Sequence, residues 1–242
     1  MTDGAAKEIV IDVTGLTKTF DGRTVVHNLA LQVPRGEIYG FLGPNGSGKT
    51  TTLRMLCGLL TPDAGQGTCL GYDIRTQSDE IKRNVGYMTQ RFSLYADLSI
   101  RENLEFVARV YGVPEPRQAA REAIGRLGLS TRAEQFAGDL SGGWKQRLAL
   151  GACILPQPKL LLLDEPSAGM THEETKALMD DIMLVRRRDE GLTIVIVEHE
   201  MGVIERITNR CVVLNFGRKI AEGPYRQIAA DPQVQEAYLG VA

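Results

Sequence analysis

The stretch GPNGSGKTT places Gly43 five residues ahead of Gly48-Lys49-Thr50, which satisfies G-x-x-x-x-G-K-[ST], a phosphate-gripping pattern. Glycines let the backbone turn so that several N–H groups face one concavity. Gly43, Pro44, Asn45, Gly46, Ser47, Gly48, Lys49, Thr50 and Thr51 are therefore the candidate phosphate-binding residues. Lys49 brings a full charge for the β- and γ-phosphates, and the Thr50 hydroxyl suits Mg²⁺. A second chemical group follows the run LLLL at Asp164-Glu165. Neighbouring side chains of an extended chain point opposite ways, so these carboxylates cannot share one task. Asp164 is the candidate metal carboxylate, and Glu165 is free to polarise an attacking water. Gln90 closes the run VGYMTQ and can reach the metal or the water. His199 follows TIVIV and can hydrogen-bond a γ-phosphate.

Such groups need a scaffold that delivers them to one edge. The apolar run ending at Leu42 reads as a buried strand, followed by a helix from Thr51 to Gly58, where glycine stops it. That helix start adds partial positive charge where a phosphate would sit. Leu160 to Leu163 and Thr193 to Val197 are continuous apolar runs, as central strands of a parallel sheet require. A helix from Glu173 to Arg188 joins them into a βαβ unit. Val85 to Met88 is a further short strand. Ile9 to Val13 and Leu29 to Val33 read as strands with a turn at Asp21-Gly22, and Gly65 to Tyr72 as a β region. Helical spacing dominates Ile100 to Tyr111, Gln118 to Leu127 and Trp144 to Leu155. A late hairpin turns at Phe216-Gly217, and Asp231 to Leu239 reads as a short amphipathic helix. The expectation is one α/β domain spanning 1–242: a nucleotide-binding core at about 1–95 and 156–242, interrupted by a helical subdomain at about 96–155.

With 242 residues, 43% of them hydrophobic, the chain can bury a large core. A net charge of −2 argues against a nucleic-acid partner. Cys57, Cys69, Cys153 and Cys211 are scattered without a C-x-x-C, and read as reduced, mostly buried thiols. Met1 to Ala6 is small and polar with no apolar region after it, so no secretory leader is expected. No apolar run approaches the length that crosses a bilayer.

The stretch LSGGWKQR, Leu140 to Arg147, resembles the L-S-G-G-Q signature of ATP-binding cassette (ABC) ATPases. The order and spacing of the phosphate loop, Gln90, the signature, Asp164-Glu165 and His199 resemble that family across the whole chain. Ser141 is read as a helix cap, and its neighbours Gly142 and Gly143 leave N–H groups bare, forming a second anion cradle. The resemblance implies that this cradle closes on the γ-phosphate held by a second ABC ATPase subunit, a copy or a related chain, with two ATP molecules between them. It also implies that Phe20 stacks on adenine, that Thr50, Gln90 and Asp164 serve Mg²⁺, and that Glu165, His199 and Gln90 are catalytic. The chain departs from the pattern at Trp144, where the signature usually has Gln, and at Thr171, where the D-loop commonly has Asp. Backbone donors survive the first change, which leaves the indole to pack at a dimer surface or on the helical subdomain.

The resemblance further implies integral membrane transporter subunits as partners and a peripheral place at the cytoplasmic face of the inner membrane. Phe92, Leu94 and Tyr95, in a loop after Gln90, are expected to be exposed and to form that interface. Arg91 to Val113 resembles exporter ATPases, whereas SAGMTHEET and DPQVQEAYLG resemble importers of branched-chain amino acids or urea and the ATPase of lipopolysaccharide transport. Export is the favoured direction. Import of a small solute and a soluble ABC ATPase of cofactor assembly are the alternatives. A regulator that does not hydrolyse ATP fits poorly with the presence of Glu165 and His199.

Overall fold

A computed structural model describes residues 7–239. Met1 to Ala6, the stretch read as carrying no leader, lie outside them. The chain opens with two long antiparallel strands, β1 (Ile9–Phe20) and β2 (Arg23–Pro34), turning at Asp21-Gly22. The element β3 (Ile38–Leu42) leads into the phosphate loop and α1 (Lys49–Leu56). Next come β4 (Ala64–Cys69), β5 (Tyr72–Asp73), α2 (Ser78–Asn84) and β6 (Val85–Met88). Three helices follow before the next strand: α3 (Ile100–Val110), α4 (Pro116–Arg126) and α5 (Gly142–Ile154). The remainder runs β7 (Leu160–Asp164), α6 (His172–Arg188), β8 (Thr193–Val197), α7 (Met201–Ile207), β9 (Arg210–Asn215), β10 (Arg218–Gly223), α8 (Tyr225–Ala229) and α9 (Pro232–Leu239).

Two sheets form. The antiparallel one has the order β2-β1-β4-β5, and the larger one β10-β9-β3-β8-β7-β6. Pairs β9-β3, β3-β8, β8-β7 and β7-β6 are all parallel. The apolar runs of this sheet divide strictly by parity. Leu161, Leu163, Ile194 and Ile196 join one cluster with the helices, while Leu160, Leu162, Val195 and Val197 join the other with β1, β2 and α1. A strand buried on both faces must be apolar at every position, which is why these runs do not alternate.

Three structural details differ from the sequence expectations. Helix α1 begins at Lys49, so Lys49 and Thr50 lie in its first turn; Gly48, left-handed at φ 96°, turns the chain into it. The short helices α2, α7 and α8 fall below the length at which apolar spacing is readable. The loop after Gln90 is also less exposed than expected. Phe92 and Leu94 are half-buried against the helix-side cluster, and only Tyr95 stands out at 51%, its ring edge-on to Phe106 at 5.2 Å. Buried Asn103 holds the end of this loop in place. Its amide donates to the carbonyls of Tyr95, Leu98 and Ser99 and accepts from the Tyr95 N–H, tying the loop down onto α3.

The cysteines behave as expected: Cys57, Cys69 and Cys211 are buried and Cys153 is half-buried, all free, with burial pushing Cys69 up to about 12. Leu162 lies wholly inside the sheet's sandwich-side cluster. Leu162→Ala is expected to lower unfolding stability by about 2–5 kcal/mol, read from the denaturant midpoint at constant slope. A loss below about 1 kcal/mol would contradict this packing.

Candidate functional site

Because β3, β6, β7 and β8 run parallel, their carboxyl ends share one edge of the sheet, where ligands bind in open α/β folds. The phosphate loop leaves β3, Gln90 lies beyond β6, Asp164 and Glu165 close β7, and His199 follows β8.

Glycine is required at the start of that loop. Gly43 has φ 139°, and a Cβ there would come within 2.1 Å of the Leu214 carbonyl. The β9–β10 turn props the loop from outside: Gly217 N–H donates to the Ser47 carbonyl at 3.0 Å, and Gly217 in turn accepts from His27 N–H at 2.8 Å. A cavity of about 140 Å³ is lined by Val25, by residues 45–51 and by Glu165. Lys49 is 5% exposed, its ammonium donating to the carbonyls of Gly43 at 2.7 Å and Pro44 at 3.0 Å. Burial pulls its pKa below the ordinary lysine value, against the nearby charges of Glu165 and Asp164. The Ser47 hydroxyl is buried without a partner among the described residues, in the loop that forms the anion cradle.

The carboxylates divide as their alternation requires. Asp164 is 2% exposed and accepts from the Thr50 hydroxyl at 2.9 Å and the Tyr87 hydroxyl at 3.0 Å. Burial raises its pKa, and those two hydrogen bonds act the other way. Glu165 leaves the strand with a left-handed φ of 50°, which swings its carboxylate out of the sheet. It then lies between two side chains: Gln90 Nε2 donates to one oxygen at 2.5 Å, and His199 Nε2 lies 2.5 Å from the other. Gln90 thus contacts the expected base rather than Asp164.

The structure thereby gathers the loop, Asp164, Glu165, Gln90 and His199. Phe20 stands 43% exposed at the end of β1, with the Lys18 ammonium 5.6 Å from its ring. Ser141, Gly142 and Gly143 do not line the loop's cavity. Ser141 occupies the helix-cap position of α5 without capping it. Its hydroxyl donates instead to Glu174 at 3.3 Å. A Cβ on Gly143 would sit 2.7 Å from that same carboxylate. Trp144 packs on the helical side, with the guanidinium carbons of Arg132 and Arg147 each 4.9 Å from its ring, a pair of cation–π contacts.

Sequence reasoning missed two site residues. Within its strand Tyr87 carries no chemical signal of its own, yet it holds Asp164. Glu198, 3% exposed, accepts from Ser167 N–H at 2.9 Å and from His199 N–H at 3.2 Å, so one carboxylate joins the two segments that flank Glu165. A charged residue closing an all-apolar strand was its one available signal.

Comparison with known proteins agrees with this geometry. The family described as ABC transporter matches residues 26–168, and the one described as branched-chain amino acid ATP-binding cassette transporter matches residues 218–242. The chain is 35% identical to the probable multidrug ABC transporter ATP-binding protein YbhF of Escherichia coli (strain K12), over 98% of this chain and 42% of that protein. It thus spans about two fifths of that relative's length. It is 36% identical to the Nod factor export ATP-binding protein I of Rhizobium sp. (strain N33), over 89% of this chain and 71% of that one. Among solved structures, the ADP conformation of MJ1267, an ATP-binding cassette of an ABC transporter, superposes with a TM-score of 0.85 at 22% identity, covering 97% and 100% of the two chains. The cbiO1 subunit of Clostridium perfringens gives 0.84 at 24%, covering 96% of each. The chain belongs to the ABC transporter ATP-binding family, whose chemistry is the hydrolysis of ATP.

Burial raises the Glu198 pKa, so its ionised form costs folding free energy. The sign follows: with the folded value above the unfolded one, the stabilisation is full at acid pH and fades as pH rises through the folded value. Glu198→Gln is expected to remove this pH dependence, so that its stability relative to wild type improves as pH climbs above the ordinary carboxylate range. Glu198→Ala, which orphans two amides, is expected to cost about 1–3 kcal/mol. Parallel denaturation curves for wild type and Gln variant across that range would contradict the burial argument.

Proposed function

We propose that this chain is the ATP-hydrolysing subunit of a membrane transporter, pairing with a second such subunit around two ATP molecules. The observation that carries the reading is the Glu165 carboxylate, held between Gln90 and His199 at the rim of the phosphate-loop cavity. Glu165 accepts the proton of the water that attacks the γ-phosphorus, and the bond to the β-phosphate oxygen breaks. Lys49 has a third N–H donor beyond the two given to Gly43 and Pro44, and turns its ammonium toward the phosphate oxygens. Amides of residues 45–51 stabilise the charge that shifts to the leaving group. Thr50 and Asp164 set two oxygens 2.9 Å apart, a donor set suited to a hard cation, so they would hold Mg²⁺ with Gln90 nearby. When bound, that ion neutralises phosphate charge. Phe20 offers an exposed aromatic face for the adenine. Ser141, Gly142 and Gly143 serve the other subunit's γ-phosphate. The chain acts as one domain, with about 96–155 as its helical subdomain.

Membrane subunits are separate chains in this reading. They would place this chain peripherally at the cytoplasmic face of the cell membrane; among the described residues no helix is long and apolar enough to cross a bilayer. Export is favoured by the names of the relatives cited above, a probable multidrug transporter protein and a Nod factor exporter. Import is the second reading, favoured by the branched-chain amino acid match over 218–242.

Glu165→Gln is expected to lower turnover by at least about a hundredfold while ATP binding persists. With ATP it is expected to elute as a dimer in gel filtration. A monomer that still turns over would sink the role given to Glu165. Affinity capture from detergent-solubilised native membranes tests the rest. Integral membrane proteins in near-equal amount support a transporter. An accompanying extracytoplasmic binding protein would turn the reading to import, and purely soluble companions would overturn transport altogether.

A further inference from the structure

The last helix reaches the phosphate loop from the far end of the chain. In α9, Val234 is buried and Tyr238 packs against the helix-side cluster. The Tyr238 hydroxyl accepts the N–H of Gly43 at 2.6 Å, across 195 residues of sequence. Gly43 is then held on three sides. Its N–H is taken by Tyr238 and its carbonyl by the Lys49 ammonium at 2.7 Å, while its α-carbon is wedged against the Leu214 carbonyl. One of these contacts competes with nucleotide binding. The ammonium has three N–H donors and gives two of them to the Gly43 and Pro44 carbonyls, so serving both the β- and γ-phosphates takes at least one away. Where the Gly43 carbonyl is the one given up, Tyr238 is the side chain still gripping the loop's first residue. A loop anchored there keeps its later amides convergent, whereas a loop freed at that point must be reordered when the phosphate arrives.

We infer that Tyr238 is a positioning residue for nucleotide binding, acting on the phosphate loop through its one hydrogen bond to Gly43. The inference rests on reading that loop as the ATP site. Tyr238 acts through Gly43 and touches no phosphate itself.

The test is Tyr238→Phe, which keeps the ring and removes the acceptor. Affinity for ADP and ATP is expected to fall about fivefold, the order of one hydrogen bond. KM for ATP should rise in the same proportion while kcat stays within about twofold, the signature of lost ground-state binding. A packing control, Val234→Ala, loosens the same helix without touching that hydrogen bond. It is expected to lower the melting temperature and leave KM at the wild-type value. Wild-type nucleotide affinity in Tyr238→Phe overturns the inference, as does an equal rise of KM in Val234→Ala. Lys49→Ala separates the two levels. If it binds ATP as tightly as wild type does, the reading of the loop falls, whereas loss of binding in Lys49→Ala with none in Tyr238→Phe sinks only the role of Tyr238.

Discussion

The site depends on a parallel sheet that is buried on both faces. Burying Leu160 to Leu163 and Ile194 to Val197 completely leaves no room for a polar side chain along these strands. Polar chemistry is therefore confined to the strand ends. Parallel pairing aligns those ends: Leu163 faces Ile196 and Asp164 faces Val197, so the residues that follow emerge side by side. The Glu165 N–H donates to the Val197 carbonyl at 3.0 Å, which extends the ladder one step past the strand and holds the turn where the chain becomes left-handed. A sheet with one wet face would not force this segregation.

Around that edge, the energetics favour a poised loop over a relaxed one. Lys49 is desolvated, and two carbonyls compensate it. Asp164 is desolvated too, compensated by two hydroxyls. Such groups are stable only while each partner stays in place, and losing one partner of a buried charge costs far more than an exposed pair gains. In the proposed function, a carbonyl that compensates Lys49 is also one that a phosphate oxygen would replace. The orphaned Ser47 hydroxyl points the same way, since a buried donor without a partner is costly unless a ligand satisfies it.

Much of this was legible in the sequence. The phosphate loop, the Asp164-Glu165 pair and the apolar strands carry their meaning in residue type and spacing, because glycine geometry and side-chain alternation act over a few residues. What could not be read acts across the fold. Tyr87, Asn103, Glu198 and Tyr238 are ordinary members of their own segments. Their roles come from what the topology sets beside them: Asp164, the loop after Gln90, the D-loop and Gly43. Phe92 and Leu94 failed as an exposed surface for the same reason. Their exposure was decided by the helix-side cluster they pack against, not by their own loop.

The two departures from the family pattern also gain physical meaning only in the fold. Thr171 is the N-cap of α6: its hydroxyl accepts the Glu174 N–H, and the Glu174 carboxylate reaches back to the Thr171 N–H, a complete capping box. The same carboxylate receives the Ser141 hydroxyl, so the cap of α6 and the start of α5 share one acceptor. An Asp at position 171 could cap the helix equally well, but it would set a second negative charge against Glu174. Threonine caps without that charge. Trp144 belongs to the same arrangement. Its ring lies against Arg147, and Arg147 is paired to Asp181 of α6 at 2.7 Å, so the indole helps fasten α5 to the helix that starts at Thr171. Both departures thus sit at the junction of α5 with α6, held by Ser141–Glu174 and Arg147–Asp181, which links the signature to the segment following Glu165.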